Sequence, residues 1–139
     1  MITAPGIRLV LANTHRTRVF IVHNGQYLLV RHWLGDGAWM LPGGGCHIGE
    51  MPLTAARREI KEELGLSFNQ DQLQAAGSHT DRDNGFCFTY DLFVIELTDK
   101  PILHLQTIEI LAAQWFSLNE PSPSSVSPEV VVALRHWLQ

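Results

Sequence analysis

Cysteine is almost missing from this chain. Only Cys46 and Cys87 occur in 139 residues, too few for a disulfide framework and without the paired spacing of a zinc site. The seven histidines are scattered and none stands four residues from another, which speaks against a histidine-based metal centre on a helix. Charged residues make up only 17% of the chain, so neither disorder nor a solvated fibre is expected. No apolar run approaches the roughly 20 residues that span a bilayer. The opening stretch, MITAPGIRLVLANTHRTRVF, lacks a basic leader followed by a cleavable apolar segment, so a cytoplasmic protein without membrane association is expected. Positive charge is also in short supply. A formal net charge of -4 argues against non-specific binding to a nucleic-acid backbone, and no nucleic-acid partner is expected. A phosphorylated small molecule stays compatible, because a bound cation reverses the local sign.

The hydrophobic content, 45%, is enough to build a core, and the length fits a single domain over residues 1–139. RVFIVHNGQYLLVRHW reads as a hairpin in which two β-rich runs flank Asn24-Gly25. The earlier IRLVL reads as a further strand. GDGAWMLPGGG is a glycine-rich approach to a helix in which Pro52 suits the first turn and Thr54–Leu64 has helical periodicity. Gly65 stands where a helix end commonly needs a left-handed residue. Downstream, TDRDNG reads as a polar turn, FCFTYDLFVIEL and AAQWFSL as strands, and PSPSSVSP as a loop. Ser127 and Pro128 then offer an N-cap and first turn for a closing helix, EVVVALRHWL. Strands interrupted by two separated helices predict an α/β (α+β) sandwich, a mixed sheet between helices.

The segment REIKEELG carries the chemistry. Leu53, Ala56, Ile60 and Leu64 form an apolar stripe, and Glu59, Glu62 and Glu63 are expected on another face, away from it. At spacings of three and four residues these carboxylates are neighbours. Pairs about 5 Å apart repel by about 3 kcal/mol at an effective dielectric near 20. No lysine or arginine follows at i+4 to relieve them. An acidic helix is ordinarily a solvated surface, but a divalent cation would relieve this crowding, and all-oxygen ligands favour Mg²⁺ or Mn²⁺.

The residues upstream decide between those readings. Gly44-x5-Glu50-x7-Arg58-Glu59-Ile60-x-Glu62-Glu63-x-Gly65-Leu66 resembles, without a gap, the signature of the Nudix hydrolases. The surroundings agree, with a hairpin before, LPGG at the entrance and QWFSL after. The resemblance implies the Nudix fold, with the motif as a loop-helix-loop. It also implies metal-dependent cleavage of a nucleoside diphosphate linked to another moiety, with Mg²⁺ or Mn²⁺ as cofactor.

The same resemblance implies roles residue by residue. Glu62 and Glu63 would be metal ligands, and Glu59 a ligand or the base that activates water. The carbonyl of Gly43 or Gly44 would complete the metal shell. Arg58 and Glu50 would pair and hold the loop to the helix. Glu109, six residues before Trp115, occupies a place where many relatives carry an acidic base or ligand; an ordinary loop glutamate is the competing reading. Arg31 ends a hairpin strand and is a candidate phosphate donor. Trp33, Trp39, Phe86, Phe88 and Tyr90 include candidate base-stacking partners, Trp33 and Phe88 foremost, although strand aromatics are more often core. One departure is His47, where many relatives have glutamate; a titratable imidazole there would alter metal affinity or pH response. Cys46 beside it reads as a bystander.

Markers of several subclasses are missing downstream of the motif. By elimination, a compact pyrophosphohydrolase acting on a nucleoside triphosphate is the leading expectation. The alternatives are an ADP-ribose or nucleotide-sugar hydrolase and a non-catalytic ligand-sensing domain. The intact set of glutamates counts against the latter. A homodimer is common in the family and stays open here.

Overall fold

One tight turn sets the sheet. Asn24 and Gly25 both take positive φ, 49° and 75°, the type I′ geometry whose twist matches the strands it joins. It connects β1 (His15–His23) to β2 (Gln26–His32). The two strands pair only beside the turn, at Val22 with Tyr27 and His23 with Gln26. Beyond that they diverge, and the chain from Met40 to Gly45 fills the gap between them. Val30 and Met40 exchange backbone hydrogen bonds of 2.8 and 2.9 Å, and Val19 donates to the Pro42 carbonyl at 2.9 Å. The three-residue strand β3 (Gly43–Gly45) then pairs antiparallel with Arg16–Arg18 of β1.

The structure is a computed structural model that describes residues 15–33, 35–83 and 86–139, apart from the side chains of Asp83 and Phe86. The expected IRLVL strand lies outside the described residues, as does the Phe86 side chain. Helix α1 (Pro52–Leu64) follows β3, and after a 3₁₀ turn at Gln70–Gln72 come β4 (Gln74–Asp83), β5 (Phe86–Leu97), β6 (Ile110–Ser117) and helix α2 (Pro128–Trp137). The strand order is β4-β5-β1-β2-β6, with β3 beside β1. β1 and β5 are parallel and the other pairings antiparallel, so the sheet is mixed as expected.

TDRDNG is only partly a turn. β4 continues through Asp83, pairing Asp81 with Phe88 and Arg82 with Cys87. Charged residues suit this edge strand because half of them face water. Asn84 and Gly85 lie outside the described residues.

Residues of β1 alternate between two cores, as period two requires. Val19 and Ile21, with Leu28, Val30, Ile60 and Leu64, form the core under α1. Phe20 and Val22, with Tyr27, Leu29, Leu92, Val130 and Ala133, form the core under α2. Ile60 and Leu64 are fully buried; each contributes on the order of 2 kcal/mol by leaving water. α1 stops at Gly65, whose φ of 72° is left-handed and whose N–H reaches the Lys61 carbonyl at 3.0 Å. A β-carbon there would lie 2.9 Å from the His104 β-carbon, so glycine also admits the segment that crosses the helix end. His104 and Gln106 donate to the Leu64 and Glu63 carbonyls at 2.8 and 2.9 Å, satisfying them.

At α2 the expected cap differs in one respect. Ser127 holds the N-cap position, but its hydroxyl makes no capping bond. The buried Glu129 carboxyl instead accepts from its own backbone N–H within the first turn.

Candidate active site

A strand made only of glycines lets α1 press its carboxylates against backbone. At Gly43, φ is 146° and a β-carbon would fall 2.0 Å from the Thr17 carbonyl oxygen. At Gly44 a β-carbon would fall 2.5 Å from the carboxyl carbon of Glu59. The bare backbone serves as a ligand in its own right, because the Gly43 N–H donates to Glu63 Oε1 at 3.2 Å.

Glu50 and Arg58 tie the loop to the helix. Arg58 Nε and Nη2 donate to the two oxygens of Glu50, both at 2.9 Å, and Nη2 also reaches the Gly45 carbonyl at 3.0 Å. His47 N–H donates to Glu50 Oε1 at 2.9 Å. These bonds from Arg58 and from the His47 amide hold the Glu50 carboxyl down at about 2. The same contacts, with Glu50 first, push the Arg58 guanidinium further into its charged form. Its Nη1 extends to Glu59 at 2.9 Å and to Glu62 at 3.3 Å. Arg58 therefore relieves part of the glutamate crowding from four residues upstream of Glu62, the direction opposite to the i+4 cation that the sequence lacks.

The three glutamates do not share one exposed face. Glu62 is 57% exposed, Glu59 half-buried and Glu63 only 2% exposed. The expectation that all three stand away from the apolar stripe is corrected for Glu63. At about 100° per residue, seven positions bring it back to within about 20° of Ala56. Burial pushes its carboxyl up to about 8. The Glu59 charge and a hydrogen bond shared with Glu59 push the same way, while the Gly43 N–H and Arg18 oppose them. The buried Glu63 carboxyl, set beside the carboxyl of Glu59, fits a hard divalent cation by the chemistry of its donors. Among the described residues no three acidic, histidine or cysteine side chains converge as they stand. Glu59 and Glu63 are adjacent, while Glu62 is held by Arg58 at 3.3 Å.

A cleft of about 890 Å³ opens over β3, with Gly43, Gly44, Glu59 and Glu63 on one side. Trp33 and Glu109 also line it, linked through the Trp33 backbone N–H to the Glu109 carbonyl at 3.0 Å. Phe88 lines it too, with the Arg16 guanidinium 4.3 Å from its ring. Arg58, Glu50 and Glu62 are not among its lining residues. Arg31 is not brought to the cleft either: its guanidinium stacks 4.2 Å over Trp39. Alternation explains this correction, since His32, the next residue on β2, lines the cleft instead. Trp39 and Tyr90 are core side chains. His47 stands 70% exposed beside Glu50, outside the cleft. Burial pushes the Cys46 thiol up, away from reactivity.

Of the charged residues in the cleft that escaped the sequence reading, two are buried. Arg18 and Glu129 line it at 5% and 3% exposure, with Arg18 Nε 3.7 Å from Glu129 Oε2. Arg18 sits directly before the buried run Val19–Val22, where a cation is unexpected; that is the one signal available. Glu129 in a first helical turn reads as an ordinary dipole partner.

A family model of the NUDIX domain matches residues 13–137. This chain belongs to the Nudix family. Members of this family generally use divalent metal ions. Among curated relatives, an RNA pyrophosphohydrolase of Acinetobacter baylyi is 40% identical over 62 residues, 45% of this chain and 31% of that protein. Nudix hydrolase 2 of Arabidopsis thaliana is 32% identical over 117 residues, 77% of this chain and 41% of that protein. The chain thus spans well under half the length of these relatives. The crystal structure of a MutT NUDIX hydrolase from Burkholderia pseudomallei superposes with a TM-score of 0.78 at 23% identity, covering 88% of this chain and 96% of that one. That likeness establishes the Nudix fold. Among the described residues, no helix is long and apolar enough to cross a membrane.

Proposed function

We propose that this Nudix protein hydrolyses a diphosphate linkage in a nucleotide derivative, a nucleoside triphosphate first among them, with Mg²⁺ or Mn²⁺ bound at Glu59, Glu62 and Glu63. The observation that carries the reading is the buried Glu59–Glu63 carboxyl pair beside the bare glycine strand, at the edge of a nucleotide-sized cleft. When bound, divalent cations supply neutralisation of the diphosphate charge and a more acidic water. The chain's own groups supply the rest. Deprotonated Glu63, Glu62 and the Gly43 or Gly44 carbonyl would hold the cation, and Arg58 keeps Glu59 oriented through the 2.9 Å bond. Either Glu59 or Glu109 accepts a proton from the attacking water; both line the cleft. Trp33 and Phe88 offer ring faces to a base. Gly65 and Glu50 act on structure alone. Two free cysteines agree with a reducing, cytoplasmic compartment.

The test is a panel of nucleoside triphosphates, ADP-ribose, nucleotide sugars and 5′-triphosphorylated RNA, followed by phosphate release with Mg²⁺ and Mn²⁺. Turnover of at least one nucleotide, abolished by EDTA and restored by added metal, is the expected result. Full activity after exhaustive chelation would overturn the metal assignment. An inert protein that still binds nucleotide would point to the ligand-sensing alternative.

A further inference from the structure

The cleft is also lined by Ala38, Met40, Val126 and Pro128 and, among its charged residues, by Arg18 and Glu129. Both are at least nine-tenths buried. A buried ion pair is weak support for stability, since apolar residues of similar volume commonly do as well. Such a pair in the wall of a ligand cleft therefore points to recognition. Neither group is saturated. Arg18 Nη1 donates to the Thr17 carbonyl at 2.9 Å, and Nε faces Glu129 at 3.7 Å, beyond hydrogen-bond length. Glu129 Oε2 accepts the Leu41 N–H at 3.0 Å, and the carboxyl also takes its own backbone N–H. A guanidinium has five donors and a carboxylate about four lone pairs, so a block of donors stands beside a block of acceptors.

We infer that Arg18 and Glu129 read the base of the substrate and select guanine. The inference rests on the proposed reading of the cleft as a nucleotide site. Among the common bases, guanine alone presents two adjacent acceptors, N7 and O6, followed by two adjacent donors, N1–H and N2–H₂. An arginine fork matches the first block and a carboxylate the second. Adenine and uracil alternate donors and acceptors along the same edge, and cytosine sets a single donor beside two acceptors, so none of them matches both blocks in full. A buried polar group left unpaired on binding is penalised. Phe88, beneath Arg16, offers a ring to stack on in the same cleft.

The experiment is calorimetric binding, in Mg²⁺, of α,β-methylene analogues of GTP, ITP and ATP, which resist hydrolysis at that linkage. We expect the guanine analogue to bind about tenfold tighter than the adenine one. Hypoxanthine, which lacks N2–H₂, should fall between them. Glu129→Gln, which keeps an acceptor for Leu41, should shrink the gap between guanine and hypoxanthine. If that variant does not fold, the comparison of the three analogues on the parent protein decides alone. Equal binding of all three would overturn base selection while leaving the proposed hydrolysis standing. No binding by any of them would overturn both. A guanine preference that Glu129→Gln leaves intact would remove the role assigned to this pair.

Discussion

Glu50 and Glu63 are the same residue type at the two ends of one motif, yet the fold drives them in opposite directions. Glu50 receives both arms of Arg58 and a backbone N–H, and its carboxyl is held at about 2. Glu63 is buried, receives one backbone N–H and faces Glu59; its carboxyl rises to about 8. The first is a finished interaction and the second an unfinished one. Side chains that the protein itself satisfies hold shape, whereas those left unsatisfied at a cleft wait for a ligand.

The contrast breaks most severely at Glu63. Glu63→Gln should lower turnover at least about 100-fold by removing a ligand oxygen. In EDTA the same change should help the fold at alkaline pH. The folded value of about 8 lies above the ordinary 4.5. The stability Glu63 contributes is therefore complete below pH 4.5 and lost as pH rises through 8. Thermal unfolding from pH 5 to 9 should show the parent weakening over that window and Glu63→Gln weakening less. Parallel curves would mean that Glu63 is not the unfinished group.

The glycine strand separates shape from site in the next pair of variants. Gly43→Ala forces a methyl into the Thr17 carbonyl at a φ of 146° and should cost about 3 kcal/mol by denaturant unfolding. Gly44→Ala meets only the end of the Glu59 side chain, which can swing aside. Its unfolding midpoint should stay near the parent while turnover falls, by up to about 100-fold if Glu59 moves by about 1 Å. Equal losses of stability in the two variants would contradict this division.

Local chemistry was legible in the sequence. Asn24-Gly25 fixed the hairpin, Gly65 the helix end, and the motif its helix, because each depends on neighbours along the chain. Three features were not legible. Glu63 reads as surface until the helical turn is followed back to Ala56. Arg31 reads as a cleft residue until β2 alternation turns it onto Trp39. Arg18 and Glu129 meet only because α2 closes over the face of the sheet that carries Arg18, a contact between opposite ends of the chain. The serine at the N-cap of α2 carried the right sequence signal, but the Glu129 carboxyl does the bonding.

On the finished side the expected effect is smaller. Glu50→Gln should cost about 1 kcal/mol near neutral pH, since the pair with Arg58 is partly solvated and Arg58 keeps Glu59 and Glu62. With its folded value depressed to about 2, Glu50 contributes stability above the ordinary 4.5 and loses it as pH falls through 2. Unfolding at pH 7 and at pH 2 should therefore show the difference between parent and variant at the higher pH and its decline at the lower. A constant difference would remove the charge from the explanation.

The smallest effect belongs to His47. From sequence, this histidine stands in for a glutamate common in the family, and if its imidazole lay near the metals its protonation would compete with cation binding and steepen the acid limb of the rate profile. The fold takes away the premise. The imidazole is 70% exposed, its Nδ1 lies 3.8 Å from Glu50 Oε1, and it does not line the cleft. Between it and the Glu59–Glu63 pair stands Arg58, already bonded to Glu50 and Glu59. A charge on His47 is thus screened by solvent on one side and by an existing ion pair on the other. The backbone of His47, not its ring, makes the contact that matters, the 2.9 Å bond to Glu50, and a glutamate at this position keeps it. Rate profiles of His47→Glu and the parent from pH 5 to 9, at limiting metal, should overlay. A shallower acid limb in the variant would show that the ring reaches the metal site after all, and that the boundary between finished and unfinished groups lies further along the loop than Glu50.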